Sequence, residues 1–218
     1  MNKNNNLVNV AFFQFATSSI HFAASLEILN KECRLGNKAF YYLLGQTTYF
    51  PSRMAKMGES LLGKAPKHLK NLIFRADPNV VFKDEIEYDE NWVQKHMEEF
   101  TQQLNQISNI SMLPSLQFDS IKPGAAIANE IITYSKDNDM NLFKNHKLVI
   151  FLLRSYLEVY SHTLISIKVN GISRVHIYNG RFLHERASWD AAKRLDCEIL
   201  IFETTHDRYQ QRTEGFHN

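Results

Sequence analysis

Residues 174–203 read RVHIYNGRFLHERASWDAAKRLDCEILIFE, and this stretch decides the fold class. Arg174–Tyr178 and Glu198–Phe202 are short runs of β-branched, aliphatic and aromatic residues, which predict buried strands. Phe182–Leu195, between them, predicts a helix. A strand, a helix and a second strand in so short a stretch form a βαβ unit, in which the two strands are parallel.

The opening of the chain has the same pattern. Leu7–Phe13 (LVNVAFF) predicts a buried strand, and Lys38–Leu44 (KAFYYLL) predicts the next one. Between them lies an apolar stripe at helical spacing that ends near Gly36. Two βαβ units at opposite ends of the chain predict an α/β fold, a Rossmann-like, doubly wound, mainly parallel sheet flanked by helices.

Two regions lack this regular alternation. Residues 51–123 predict a partly helical excursion from the sheet, in which Asn71–Arg75 is expected as a strand. The polar tail, Thr204–Asn218, is expected to contribute no packed element. Residues 1–218 are therefore expected to form one domain. An ending directly after a sheet strand is expected for a domain taken from a longer protein, and the alternative is a frayed natural terminus.

Composition restricts the class of protein. Lys and Arg number 25 and Asp and Glu 23, so the net charge of +2 argues against a nucleic-acid partner bound by charge alone. Hydrophobic residues make up 44% and charged residues 22%, which is typical of a folded globular protein. The longest apolar run, Leu148–Leu153, is interrupted by Arg154, so no membrane-spanning segment is expected. Together with the absence of a signal-peptide pattern, these features predict a cytoplasmic protein.

Residues that bind metals or form disulfides occur without the required spacing. Cys33 and Cys197 lie far apart, and no CxxC, HxH or HExxH pattern is present, so neither a zinc site nor a disulfide framework is expected. Asp137-Asn138-Asp139 matches a DxD pattern that holds a divalent metal in some sugar-nucleotide enzymes, but it is expected to be a solvated loop. The basic residues between 64 and 70 are expected on the surface, where they could contact an anionic lipid headgroup.

Ligands of open α/β sheets bind beyond the carboxyl ends of the strands, and three segments of this chain follow a predicted strand. The first lacks both the GxGxxG and the GxxxxGK[ST] pattern, so it predicts neither a dinucleotide site nor a P-loop. It offers the hydroxyls of Thr17, Ser18 and Ser19 at a helix N-terminus, where they could bind a sugar or a phosphate. His21, directly after them, could act as a general base. Alternatively, a serine only caps the helix and His21 lies on its surface.

The second segment, Asn179-Gly180-Arg181, follows the strand Arg174–Tyr178. Its glycine allows a tight turn from strand to helix. Arg181 is expected in the first helical turn, where the helix dipole disfavours a cation unless an anion or a carboxylate faces it. Arg186 follows on the same helix and is the second candidate for ligand binding. The segment is therefore either a binding turn or a purely structural one.

The third segment begins with Glu203, at the end of the last predicted strand. Its carboxylate would point into the same crevice, where it could orient a histidine or accept hydrogen bonds from sugar hydroxyls. The alternative is an exposed acid at a strand end. A hydrolase that uses Ser18 or Ser19 is disfavoured, because no GxSxG elbow and no matching order of Ser, Asp and His is present.

Three stretches of the chain resemble bacterial surface-polysaccharide glycosyltransferases of the capsule and lipopolysaccharide O-antigen type. They are FFQFATSSIHFAASLEILNKECRLGNKAFYYLLG, KPGAAIANEIITYSKD and VHIYNGRFLHERASWDAAKRLDCEILIFE. The last is similar to the family's pattern of a strand, an FNGRF-like turn, a helix and a strand that ends in Glu. The likeness covers roughly residues 7–46 and 121–203.

The resemblance implies a GT-B architecture, in which two Rossmann-like halves face each other across a cleft. These residues would be the amino-terminal, acceptor-side half, and the donor-side half would be absent from them. The family often has His-Glu-Arg-Gly around its terminal acid, whereas this chain reads FETT there. By position, His21 corresponds to the family's base or acceptor-binding group. Asn179, Gly180 and Arg181 correspond to its turn, and Glu203 corresponds to its terminal acid.

The function that the resemblance implies is transfer of a sugar from a nucleotide-sugar donor to a glycan acceptor, attached to a lipid, in bacterial surface-polysaccharide synthesis. His21, or Glu203 as the second choice, would take the acceptor proton, and Arg181 would supply positive charge for phosphates or an acidic sugar. No cofactor or metal is expected in this chain, because the nucleotide-sugar would bind the missing half, and the chain alone is expected to be inactive. Its partners would be the acceptor, its own donor domain and the inner face of the membrane. The alternative is a non-catalytic module that binds a sugar or nucleotide or docks a partner.

Overall fold

One mixed sheet organises the protein. The computed structural model describes residues 7–15, 19–44, 67–118, 121–137, 139–204 and 209–212. The strands are β1 (Asn9–Gln14), β2 (Lys38–Leu43), β3 (Val81–Lys83), β4 (Arg174–Tyr178), β5 (Glu198–Thr204) and β6 (Tyr209–Arg212). They form a six-stranded sheet in the order β3-β2-β1-β4-β5-β6. Strands β1 to β5 are parallel, and β6 pairs antiparallel with β5.

Helices flank this sheet. They are α1 (Ser19–Arg34), α2 (Lys67–Ala76), α3 (Glu90–Leu104), α4 (Pro123–Ser135), α5 (His146–Asn170) and α6 (Leu183–Arg194), with a 3₁₀ helix at Ile110–Ser115. The units β1-α1-β2 and β4-α6-β5 are the two βαβ units that the sequence predicts. Because the strand order is that of Rossmann-like doubly wound folds, the predicted fold class is confirmed.

The central strands are buried on both faces, which explains their continuous apolar sequence. In β1, Val10 and Phe12 pack in a cluster with residues of α1. Ala11 and Phe13 point the other way and pack with residues of α5 and α6. A third cluster joins α3, α4 and α5 outside the sheet. Because β1 is buried on both faces, its run Val10–Phe13 is apolar and does not alternate between apolar and polar residues.

Helix α5 is long and apolar enough, by length and composition, to cross a membrane. However, 61% of its most apolar window is buried inside the protein. Its Arg154 also pairs with Glu90 of α3 and with Glu158 one turn further on, each at 2.8 Å. The helix is packed as the core helix of a globular protein is, and its apolar character is weak grounds for a membrane span.

Two predictions about the outer parts of the sheet are wrong. Asn71–Arg75, predicted as a strand, lies inside α2, where Ile73 is buried and its apolar neighbours are exposed. The tail, predicted to hold no packed element, provides β6, which pairs with β5 from Thr204↔Tyr209 to Ile201↔Arg212. Pairing at a sheet edge uses the backbone, so a polar strand leaves no apolar pattern to recognise. Of the predicted excursion, residues 51–66 lie outside the described residues. Strand β3 lies within the remaining part and pairs with β2, so this part of the excursion belongs to the sheet.

A polar network lies at the amino-terminal edge of the sheet, around the buried carboxylate of Glu32 in α1. Asn37 Nδ2 donates to Glu32 at 2.5 Å, and His176 Nε2 lies 2.9 Å from Glu32 Oε1. Arg174 donates to Glu32 at 3.1 Å and to Glu198 at 2.7 Å. Burial alone would raise the pKa of Glu32, but hydrogen bonds from His176 and Asn37 and the nearby positive charge hold it at about 2. The network therefore ties α1 to β4 and β5 through a charged carboxylate.

Glu32→Gln is expected to lower the free energy of unfolding by about 3 kcal/mol at pH 7, because it leaves the buried partners without their carboxylate. The folded pKa lies below the unfolded value of 4.5, so this stabilisation is present above pH 4.5 and is lost as the pH falls towards 2. In urea unfolding at several pH values, the difference from the wild type should therefore shrink on acidification. Glu198→Gln removes the 53% exposed partner of the same arginine and should cost less than about 1 kcal/mol. Equal losses in the two variants would contradict this interpretation.

Candidate functional site

A pocket of about 450 Å³ lies at the carboxyl-terminal edge of the sheet, beside the ends of β4 and β5. In open α/β sheets, ligands bind at this edge. The walls come from α4, the turn after β4, α6 and the end of β5. The lining residues are Ala125, Ala126, Asn129, Asn179, Gly180, Arg181, Arg186, Trp189, Ile201 and Glu203.

The turn after β4 has an unusual backbone. Asn179 and Gly180 both have positive φ angles, of 60° and 68°, which glycine adopts freely and asparagine tolerates. The N–H of Asn179 donates to the carbonyl of Phe202 at 3.0 Å and so continues the pairing of β4 with β5. On the other side, Asn129 Nδ2 of α4 donates to the carbonyl of Arg181 at 2.9 Å. The turn is thus held at both ends.

The indole of Trp189 packs directly against this turn. A Cβ atom at position 180 would lie 2.5 Å from Cε3 of Trp189, far inside van der Waals contact. Gly180 is therefore required for two reasons, its left-handed backbone and the ring beside it. The ring in turn brings one face of α6 to the pocket, so the helix and the turn form a single wall.

Arg181 lies just before α6 rather than in its first turn, because the helix begins at Leu183 with Phe182 as its N-cap. The expected position in the helix is therefore wrong, and the chain turns at Phe182 before the helix starts. A carboxylate does face the arginine: Arg181 Nη2 lies 3.5 Å from Glu203 Oε1. Arg181 Nε also donates to Asn179 Oδ1 at 2.5 Å. Its side chain is 70% exposed, which leaves it accessible to a ligand.

Arg186 is held more firmly. Its Nε donates to Asp190 Oδ1 at 3.0 Å, and its guanidinium carbon lies 5.3 Å from the centre of the Trp189 ring. The other oxygen of Asp190 accepts a hydrogen bond from Tyr156 of α5 at 2.5 Å. Burial, together with the charge of Asp190, keeps the pKa of Tyr156 well above its usual value, so this hydroxyl keeps its proton and remains a donor. Asp190 thus anchors Arg186 from the protein interior.

Besides Asp190, two buried carboxyl groups lie on α4 and α6, those of Glu130 and Glu185. Glu130 accepts a hydrogen bond from the backbone N–H of Leu183, the first residue of α6, at 3.3 Å. Burial, with a smaller contribution from the nearby charge of Glu130, raises the pKa of Glu185 to about 8. Glu185 is therefore mostly protonated at pH 7, which lets α4 and α6 pack together without two buried charges.

His21 lies in the first turn of α1 and contacts the end of β4. Its Nε2 is 2.7 Å from the hydroxyl of Tyr178, and the two rings stack with centres 4.0 Å apart. Burial lowers the pKa of His21, so it is neutral at pH 7, as a general base must be. It does not line the pocket beside Glu203. Of the hydroxyl residues before it, Thr17 and Ser18 lie outside the described residues, and Ser19 is the first residue of α1.

The structure brings most of the predicted site residues together. Asn179, Gly180, Arg181, Arg186 and Glu203 line one pocket, whereas His21 lies outside its lining and contacts Tyr178, the residue before the turn. Sequence reasoning missed Asn129 and Trp189. The first carried a weak signal as an amide in the apolar helix AAIANEII, and the second as a tryptophan shortly after Arg186. Within the described ranges, no group of His, Cys, Asp or Glu side chains could hold a metal ion.

No model of a known protein family matches this sequence, and no curated protein is significantly similar to it. The fold, the pocket and the residues that line it are therefore the observations from which function has to be inferred.

Gly180→Ala is expected to lower the free energy of unfolding by about 2 to 4 kcal/mol, because it combines a strained left-handed backbone with displacement of the Trp189 ring. Gly36→Ala is the matched control. Its φ of 85° is also positive, but an added Cβ would meet only the end of the exposed Leu7 side chain at 3.0 Å. The control should lose about 1 kcal/mol in urea unfolding followed by tryptophan fluorescence. Losses of the same size would mean that the indole does not pack against the turn.

Glu185→Gln is expected to stabilise the protein at alkaline pH. The folded pKa of Glu185, about 8, lies above its unfolded value of 4.5, so the folded state loses stability as the pH rises through this range. Glutamine mimics the protonated carboxyl, and the variant should exceed the wild type by about 3 kcal/mol at pH 9 and by little at pH 5. Urea unfolding at several pH values measures this gap, with the exposed Glu27→Gln of α1 as the control. A gap that does not change with pH would refute the buried, protonated state.

Proposed function

We propose that the pocket binds a glycan acceptor and that this chain is the acceptor-side domain of a glycosyltransferase of bacterial surface-polysaccharide synthesis. One observation carries the proposal: amide, guanidinium, carboxylate and indole side chains from α4, α6 and the ends of β4 and β5 meet in one pocket. Two of the three stretches that resemble such transferases supply α4, the turn, α6 and the end of β5, which provide the lining residues of this pocket.

The chemistry of the lining suits a carbohydrate. Sugar hydroxyls both donate and accept hydrogen bonds, and they need partners of both kinds at fixed positions. Guanidinium groups donate, the Glu203 carboxylate accepts, and the amides of Asn129 and Asn179 can do both. Small apolar residues of α4 and the Trp189 ring provide surface for the C–H faces of a sugar ring. The volume of about 450 Å³ lies within the range of small-molecule sites, about 300–1,000 Å³.

Sugar transfer to a hydroxyl needs a base that takes the acceptor proton. Of the two candidates, Glu203 lines the pocket and its side chain is 34% exposed. His21 uses Nε2 in its contact with Tyr178 and lies outside the pocket lining. We therefore assign the base to Glu203. His21 is proposed to hold Tyr178, and through it the start of the turn.

A second domain must supply the activated sugar. In the proposed enzyme, a donor-side half binds the nucleotide-sugar and faces the carboxyl edge of this sheet, with the acceptor between them. The chain binds no cofactor of its own in this scheme. A lipid-linked acceptor would bring the site to the inner face of the cytoplasmic membrane.

The test is a transfer assay on the full-length product of the gene, with labelled nucleotide-sugars and a mixture of glycan acceptors. Glu203→Gln is expected to lower kcat by about 100-fold or more, as for loss of a general base, whereas His21→Ala should have a clearly smaller effect. Glu198→Gln, at the opposite end of β5, is the control for a charge change on the same strand.

The outcomes separate the alternatives. A larger loss in His21→Ala than in Glu203→Gln would move the base to His21. Sugar binding at the pocket with no transfer from any nucleotide-sugar would overturn the transferase and support the non-catalytic binding module.

A further inference from the structure

We infer that the pocket is specific for a sugar that carries an anionic substituent, a carboxylate or a phosphate, and that Arg186 binds this group. The inference rests on the proposed function for the identity of the site as an acceptor pocket, and it adds the chemical class of the acceptor. Its basis is the way in which two arginines are held in the pocket.

Arg186 presents one edge of its guanidinium to the pocket. The Nε side is occupied, because it donates to Asp190 at 3.0 Å. Within the described ranges, neither Nη atom of Arg186 has a hydrogen-bond partner. The two Nη groups together form the edge that matches the paired oxygens of a carboxylate or phosphate. The residue is thus anchored at one edge and has its second edge available.

The available edge is also held in place before a ligand arrives. Asp190 is itself fixed by the Tyr156 hydroxyl at 2.5 Å, and the Trp189 ring lies against the guanidinium at 5.3 Å. The side chain of Arg186 is nevertheless 36% exposed, so a ligand can reach it. Because its position is already fixed, binding an anion costs little further side-chain entropy.

The two arginines of the pocket face it, whereas one of their two carboxylate partners does not. Among the described residues, Arg181, Arg186 and Glu203 are the charged side chains of the lining, and Asp190, which pairs with Arg186 through Nε, is buried behind it. Arg181 is paired with Glu203 only loosely, at 3.5 Å and with 70% of its side chain exposed. A second anion can therefore share Arg181 without first breaking a buried ion pair.

Glu203 and the ligand anion occupy different places in the pocket. The anionic substituent binds at Arg186, and an acceptor hydroxyl lies at Glu203. The two negative charges repel each other within one pocket. Removing the charge of Glu203 should therefore strengthen binding of an acidic sugar while it removes the base.

The test is a calorimetric titration of the 218-residue protein with three ligands that share one ring: methyl glucoside, methyl glucuronide and glucose 6-phosphate. At least one anionic ligand should bind about 10-fold more tightly than the neutral one, and the comparison of the two identifies carboxylate or phosphate as the preferred group. Arg186→Lys keeps the charge next to Asp190 but loses the paired donors, so it should remove most of this preference. Arg34→Lys, at an exposed position of α1, is the matched control and should change nothing.

The ligand affinity of Glu203→Gln is a second test, and it does not require Arg186 variants to be stable. It should tighten binding of the anionic ligand several-fold and leave the neutral ligand unchanged. Equal affinity for neutral and anionic sugars, or a preference that survives in Arg186→Lys, would overturn the inference. Anion-dependent binding without transfer in the full-length protein would refute the transferase alone. Transfer to neutral acceptors only would refute the acidic specificity alone.

Discussion

Backbone hydrogen bonds between β1 and β4 hold together two parts of the chain that are far apart in sequence. Val10–Phe13 pairs in parallel with Arg174–Ile177, and β2 and β5 lie on the outer sides of this pair. Parallel strands require a covered sheet, which α1 on one face and α5 and α6 on the other provide. Because all these strands run in one direction, their carboxyl ends meet at one edge. The pocket lies at this edge, beside the ends of β4 and β5.

The two edges of the sheet use polar residues in different ways. At the amino-terminal edge, the Glu32 carboxylate is buried and accepts hydrogen bonds from Asn37 and Arg174, with His176 Nε2 at 2.9 Å. At the carboxyl-terminal edge, Arg181 and Glu203 are partly exposed and only loosely paired, and the Nη groups of Arg186 have no partner in the described part of the chain. The first arrangement stabilises the fold, and the second leaves hydrogen-bonding capacity for a ligand. This contrast supports a binding role for the pocket more strongly than the nature of its residues alone.

The sequence was informative wherever burial dictated residue type. Most of LVNVAFF and of EILIF is buried, from Val10 to Phe13 and from Leu200 to Phe202, and their strands appear within a few residues of the predicted bounds. The sequence was not informative where backbone hydrogen bonds or tertiary packing determined the secondary structure. The polar β6 pairs through its backbone, and the helix α2 buries Ile73 while its apolar neighbours stay exposed, so neither matched its expected pattern.

The candidate site shows the same division. Asn179, Gly180 and Glu203 could be predicted because they lie at or directly after the carboxyl ends of strands, and the geometry of a parallel sheet brings such residues together. Asn129 and Trp189 come from helices whose approach to the turn depends on tertiary packing, which no local pattern records. Gly180 combines both cases: its turn was visible in the sequence, but the indole that excludes a Cβ was not.

The most direct test of the central claim, that the turn, α6 and the end of β5 form one sugar-binding pocket, is a crystal structure of this protein soaked with an acidic sugar such as methyl glucuronide. Our account predicts the sugar between the Asn179–Arg181 turn and Glu203, with its carboxylate about 3 Å from the Nη atoms of Arg186 and a hydroxyl on the Glu203 carboxylate. A sugar bound elsewhere on the protein, or a structure in which Arg186 and Glu203 do not face a common cavity, would contradict it.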